Sequence, residues 1–173
     1  MRKVTKEIYK TPPGDEHGWR TLANGTENSI RVGWESRIND GVTVGDGVQI
    51  GSSAYIGGGS KLMSCAVIGD GAYIGPQSVI GECVQIVSGA TVGEGSIIRE
   101  TPMQIMRSDG YVFLVAWAKG ELRVTAGCRT LTLPDARLHW QLTRGGTPLG
   151  DETFAILDIL ERFAPRKPRV RKK

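Results

Sequence analysis

Two histidines and three cysteines carry the most versatile chemistry in this 173-residue chain. A histidine can take a proton from a hydroxyl or an amine near neutral pH, which makes His17 and His139 the candidate general bases. His139 lies in the stretch Thr132-Leu-Pro-Asp135-Ala-Arg-Leu-His139-Trp140. A Thr with a carboxylate three residues on marks a helix start, so His139 is expected on a short helix over 133–142. His17 falls in a Pro- and Gly-containing segment, and no histidine occurs between residues 18 and 138. The cysteines are Cys65, Cys83 and Cys128, an odd number with no disulfide-rich context, which fits a reducing compartment. The longest apolar run, VFLVAWA at 112–118, is too short to span a bilayer, and the basic start MRKVTKEIYK is not followed by an apolar signal region. A cytoplasmic chain with no membrane contact is expected.

The element that must position these groups is a repeat. From Val32 onward an aliphatic residue recurs every six positions: Val32, Ile38, Val44, Ile50, Ile56, Leu62, Ile68, Ile74, Ile80, Ile86, Val92 and Ile98. Two residues before each stands one of small or moderate size, among them Ser36, Ala54, Ser60, Ala66, Ala72, Ser78, Ala90 and Ser96. Residues two apart on a strand share a face, so each unit buries a small and an aliphatic side chain and leaves the residue between them outside. The remaining positions turn a corner, often as Asp-Gly or Glu-Gly, where glycine accepts backbone angles that other residues avoid. Three units close a triangle of 18 residues, so twelve make about four stacked coils.

This pattern resembles the hexapeptide repeat of left-handed parallel β-helix proteins over residues 30–101. The resemblance implies a homotrimer with ligand clefts between parallel prisms. It also implies one of three functional classes: acyltransferases using acetyl-CoA or acyl-carrier protein, zinc carbonic anhydrases of the gamma class, or members that only bind or scaffold. The anhydrase class needs three zinc-binding histidines, and the chain has two, neither in the repeat. The acyltransferases place their histidine on the β-helix or on a loop projecting from it, and the uninterrupted register leaves no such loop. His139, outside the repeat, is the remaining candidate base for that chemistry. At 18-residue separation Cys65 and Cys83 occupy equivalent corners of adjacent coils, where a stacked, semi-buried pair of thiols is expected rather than a disulfide. Cys128 is expected in a C-terminal core.

The 18-residue period also sorts the outward positions into three sides. The first carries Arg31, Gln49, Val67 and Gln85, and the second Arg37, Tyr55, Tyr73 and Thr91 beside a lane of Asn39, Gly57, Gly75 and Gly93. The third carries Thr43, Lys61, Val79 and Ile97, whose exposed aliphatic residues call for packing against a subunit or the C-terminal module. Stacked Tyr55 and Tyr73 beside a glycine strip read as an aromatic shelf for a flat ring, with Arg37 for an anion. The candidate ligand set is Arg37, Tyr55, Tyr73, Thr91 and Lys61, and the candidate ligand is small, anionic and nucleotide-like.

Beyond Pro102 the register ends. Residues 111–118 and 122–128 read as a hairpin about Lys119-Gly120-Glu121. Helices are expected over 133–142 and 151–164, the second with Phe154, Leu157, Leu160 and Phe163 on one core stripe. The stretch from Ser108 to Trp140 resembles small modules on uncharacterised phage-borne proteins. The last nine residues, PRKPRVRKK, carry six Lys or Arg and no acid, more than the whole net charge of +4, so the body is slightly acidic. The tail is expected to stay unfolded, available for weak contact with nucleic acid or an acidic partner.

The sequence thus predicts an N-terminal cap over 1–29, a left-handed β-helix over 30–101, a ββαα module over 102–164 and a basic tail over 165–173. The functional expectation is a non-catalytic trimer that binds or sequesters its ligand, with no cofactor assigned. The alternatives are an acyltransferase that uses acetyl-CoA and His139, and a structural or protein-binding scaffold, including a phage-encoded one.

Overall fold

The computed structural model describes residues 30–167, together with the backbone of the short strands β1 (Arg2–Lys3) and β2 (Arg20–Thr21). Most of the expected cap, including His17, and the tail beyond Lys167 lie outside the described residues.

Twelve strands build a parallel solenoid of about four coils. They are β3 (Arg31–Val32), β4 (Arg37–Ile38), β5 (Thr43–Val44), β6 (Gln49–Ile50), β7 (Tyr55–Ile56), β8 (Lys61–Leu62), β9 (Val67–Ile68), β10 (Tyr73–Ile74), β11 (Val79–Ile80), β12 (Gln85–Ile86), β13 (Thr91–Val92) and β14 (Ser96–Ile98). Each strand pairs in parallel with the one 18 residues away, as in Arg37↔Tyr55, Tyr55↔Tyr73 and Tyr73↔Thr91. The three ladders are β3-β6-β9-β12, β4-β7-β10-β13 and β5-β8-β11-β14, the three sides expected from the period. All twelve aliphatic residues of the repeat are buried, and so are the small residues two positions before them. Where that small residue is serine, the buried hydroxyl donates to a corner carbonyl: Ser36 to Gly33, Ser60 to Gly75, Ser78 to Gly93 and Ser96 to Gly93.

The corners follow one rule. Residues 35, 41, 47, 53, 59, 65, 71, 77, 83, 89 and 95 all have φ between +54° and +78°, the left-handed region. Six are glycine, but Glu35, Ser53, Cys65, Gln77 and Cys83 adopt it too, at about 1–2 kcal/mol each for a residue with a Cβ. The glycine that follows the aliphatic residue has a different purpose. A Cβ on Gly57 would lie 2.4 Å from the Pro76 nitrogen, and one on Gly75 would lie 2.6 Å from that of Glu94. These glycines let successive coils approach each other. The expected outward glycine strip is therefore corrected: the space beside Gly57 and Gly75 is filled by the backbone of the next coil, and that beside Gly93 by the Thr130 side chain.

The C-terminal module continues the third side. Strand β15 (Gln104–Met106) and β14 both pair antiparallel with one edge of β16 (Val112–Ala118), and β17 (Glu121–Ala126) and β18 (Arg129–Thr132) follow on the other edge. Val112, Leu114 and Ala116 join the solenoid core, while Phe113 and Val115 join the module core. A strand buried on both faces needs an almost unbroken apolar run, which VFLVAWA supplies. The hairpin turns through Lys119 (φ +52°) and Gly120 (φ +83°), two positive angles that match the twist of the flanking strands.

Helix α1 (Leu133–Arg144) starts on Thr132, whose hydroxyl accepts from the Asp135 N–H and donates to the Asp135 carboxylate. Helix α2 (Pro148–Arg162) runs alongside, tied to α1 by Arg137 at 2.7 Å from both Asp158 and Glu161. Both helices start and end within a few residues of their expected positions. Leu157 and Leu160 are fully buried and Phe154 partly so. Phe163, at the helix cap, is 57% exposed and leaves the expected stripe. Cys128 is corrected as well: it is exposed, in the turn between β17 and β18, and Cys65 and Cys83 are exposed rather than semi-buried.

Candidate ligand site

The second side of the prism holds most of the sequence-predicted ligand residues in one column. The Tyr55 and Tyr73 rings stack with centroids 4.8 Å apart and planes 2° from parallel. That separation is the ordinary spacing of adjacent strands, so the pair is built by the repeat itself. Asn39 donates its amide to the Tyr55 hydroxyl at 2.6 Å, which fixes the lower ring. Tyr55 is half-buried and Tyr73 is 40% exposed. Thr91 continues the column one coil further and is too small to cover an aromatic ring. Arg37 is exposed at the other end and makes no ion pair with a described residue. The column offers an open aromatic surface and one unpaired guanidinium.

Lys61 is not part of it. It is exposed on β8, paired with Thr43 and Val79 on the third side. The period already sets Lys61 on a different side from Arg37 and the tyrosines, so within one chain it does not join their column.

The Cys83 thiol is less reactive than its exposure suggests. Packing around its sulfur, then contact with Cys65, pushes the Cys83 thiol above its ordinary 9.0. A raised thiol holds little thiolate at neutral pH, so Cys83 is a poor nucleophile. Among the described residues, no three His, Cys, Asp or Glu side chains converge as a metal site.

His139 is half-buried on α1, edge-on to Trp140 at 5.3 Å between ring centroids. It lines a cleft of about 400 Å³ with Arg107, Tyr111, Cys128, Arg129, Thr143 and Arg144. Arg107 is almost fully buried, its charge met by a two-pronged contact with Asp109 at 2.9 and 2.7 Å and by the Thr153 hydroxyl at 2.8 Å. That guanidinium holds the Asp109 carboxyl down at about 2, from an ordinary 3.8. Sequence reasoning found His139 but missed its companions, since the lining comes from three separated segments, 107–111, 126–129 and 139–144.

A second cleft, of about 210 Å³, lies where the chain leaves α2 and runs back over the last coil. Its lining includes Ile97, Arg99, Trp117, Pro165 and Lys167. The Trp117 indole N–H donates to the Pro165 carbonyl at 2.7 Å, and the Lys167 ammonium lies 5.4 Å from the Trp117 ring centre. The module's strands extend the sheet of the third side past its last coil, and Ile97 there stays 38% exposed beside this returning segment.

No helix among the described residues is long and apolar enough to cross a membrane. The family described as bacterial transferase hexapeptide (six repeats) matches residues 47–82, two of the coils. No curated protein matches the chain. The matched unit repeats through the whole prism, so the solenoid is a β-helix of hexapeptide repeats.

Proposed function

We propose that the protein is a homotrimer that binds a small anionic, nucleotide-like ligand in the clefts between its prisms, without turning it over. The observation that carries this reading is the Tyr55–Tyr73 stack, held parallel by the coil spacing and left open at Tyr73. Stacking on an aromatic face contributes about 1–3 kcal/mol per base and tolerates any flat ring. Arg37, on the same column, supplies a fixed positive charge for a phosphate. A prism alone gives a shallow surface, and a neighbouring subunit laid alongside would wall it. The non-catalytic part of the proposal rests on the absence of any histidine from residues 18 to 138.

The second reading is a CoA-dependent acyltransferase with acetyl-CoA as donor and His139 as base. The family description favours it, together with the position of His139 in a cleft. A scaffold role needs neither ligand nor base, and contact of the basic tail with nucleic acid is compatible with any of the three.

The test is calorimetric titration of AMP, ATP and coenzyme A into the full chain, alongside sedimentation. The proposal expects a trimer, saturable binding of at least one nucleotide, and about tenfold or greater loss in Tyr73→Ala. A monomer, or affinity unchanged in that variant, overturns it. Acetyl-CoA consumption abolished by His139→Ala would establish the second reading instead.

A further inference from the structure

Three of the six arginines of the C-terminal module are ion-paired. Arg107 is matched by Asp109, Arg123 by Glu121 at 2.8 Å, and Arg137 by Asp158 and Glu161. Arg129 and Arg144 make no ion pair with a described residue, and both line the cleft that contains His139. Their convergence is local, because the chain without its tail is slightly acidic. The cleft lining includes three arginines and a histidine but no Asp or Glu, and Asp109 already offsets Arg107. Two uncompensated guanidiniums, the Thr143 hydroxyl and the His139 imidazole thus face one space.

Arg144 alone would prove little. It sits in the last turn of α1, where a cation is favoured by the helix dipole whatever else is bound. Arg129 has no such reason to be there. It is exposed at the start of β18, directly after Cys128. The turn before it is shaped around an aromatic ring: Gly127 has φ +56°, and a Cβ there would lie 2.6 Å from the Tyr111 ring. Tyr111 is held in turn by Arg107, whose guanidinium lies 5.3 Å from its ring centre. The cleft therefore has a positioned aromatic wall beside its cationic end. At about 400 Å³ it falls in the size range of small-molecule sites and exceeds what a bare oxyanion fills.

We infer that this cleft is a binding site for a phosphomonoester. Arg129 and Arg144 would grip the phosphate dianion, for which guanidinium geometry is well suited, and the organic group would lie against Tyr111. This site belongs to the module and does not rest on the tyrosine column of the prism, so either can fail without the other.

The experiment is calorimetric titration of full-length protein, in chloride buffer, with phenyl phosphate, inorganic phosphate and phenol. Phenyl phosphate is expected to bind with a dissociation constant below about 1 mM, inorganic phosphate several-fold more weakly, and phenol not measurably. Arg129→Ala should weaken phenyl phosphate at least tenfold, Arg129→Lys should restore part of the loss, and Arg162→Ala, at the exposed end of α2 and outside the cleft lining, should leave it unchanged. Thermal melting of both Arg129 variants checks that the module stays folded. The inference is overturned if phenyl phosphate does not bind up to about 10 mM. It is also overturned if Arg129→Ala binds like the parent, if phosphate and phenyl phosphate bind equally, or if Arg166→Ala, in the second cleft beside Trp117, removes the affinity instead.

Discussion

The prism and the module bury their cores by opposite means. In the prism, one six-residue unit is copied, and its strands pair with one another only one coil away. In the module nothing repeats, and the contacts that define it span long stretches of chain: Arg107 with Thr153, Ser108 with Glu152 at 2.6 Å, and Trp117 with Pro165. The copied half is rigid and chemically plain, with most outward positions polar. The irregular half holds His139, Cys128 and the arginine cleft. Repetition places identical groups at identical spacing, whereas a constellation of different groups needs segments that arrive from different directions. The tyrosine pair is the kind of site that repetition can build, and the arginine cleft is the kind that it cannot.

The sharpest way to break this contrast is at the strand shared by both halves. Leu114 is fully buried, in the solenoid core, on the strand whose alternate residues fill the module core. Leu114→Ala should cost about 2–5 kcal/mol in urea unfolding. If it destabilises the module and leaves the prism as it was, the two halves are less coupled than β16 implies. A smaller effect is expected from Gly57→Ala, about 1–3 kcal/mol, because its Cβ would meet the Pro76 backbone and force two coils apart. A neutral result would mean that the coils separate freely. The smallest change should come from acid. The Asp109 carboxyl is lower in the folded protein, at about 2, than its ordinary 3.8. Its stabilisation is therefore complete above about pH 4 and is lost as pH falls through about 2. Melting followed at pH 5, 4, 3 and 2 should show the module weakening in this window, less so in Asp109→Asn.

The legibility of the sequence divided along the same line. The twelve aliphatic positions, the three sides and the tyrosine stack all follow from an exact period, and periodicity survives folding because each coil sees the same neighbours. The capping box at Thr132 was readable because it is local. What the period could not tell was where an absent side chain would have pointed, so the glycines beside the isoleucines looked like an outer lane when they face the next coil. Strands β15 and β18 were missed because Gln-Ile-Met and Arg-Thr-Leu-Thr are short and have no distinctive alternation. Cys128 was misplaced because a small hydrophobe two residues after buried Ala126 reads as more strand, while Gly127 with its positive φ turns the chain outward. The role of VFLVAWA as lid to one core and floor to another depends on partners from both halves, which no local pattern announces.

That lid has a consequence for the order in which the chain is made. During synthesis the four coils are complete at Ile98, yet the last coil keeps an open strand edge and an uncovered apolar end until residues 112–118 arrive. Such an edge is a template for pairing with any nearby strand, including one on a neighbouring nascent chain. Only once residues 112–118 have followed the last coil out of the ribosome is that edge sealed, and the short distance between Ile98 and Val112 keeps the exposed interval brief.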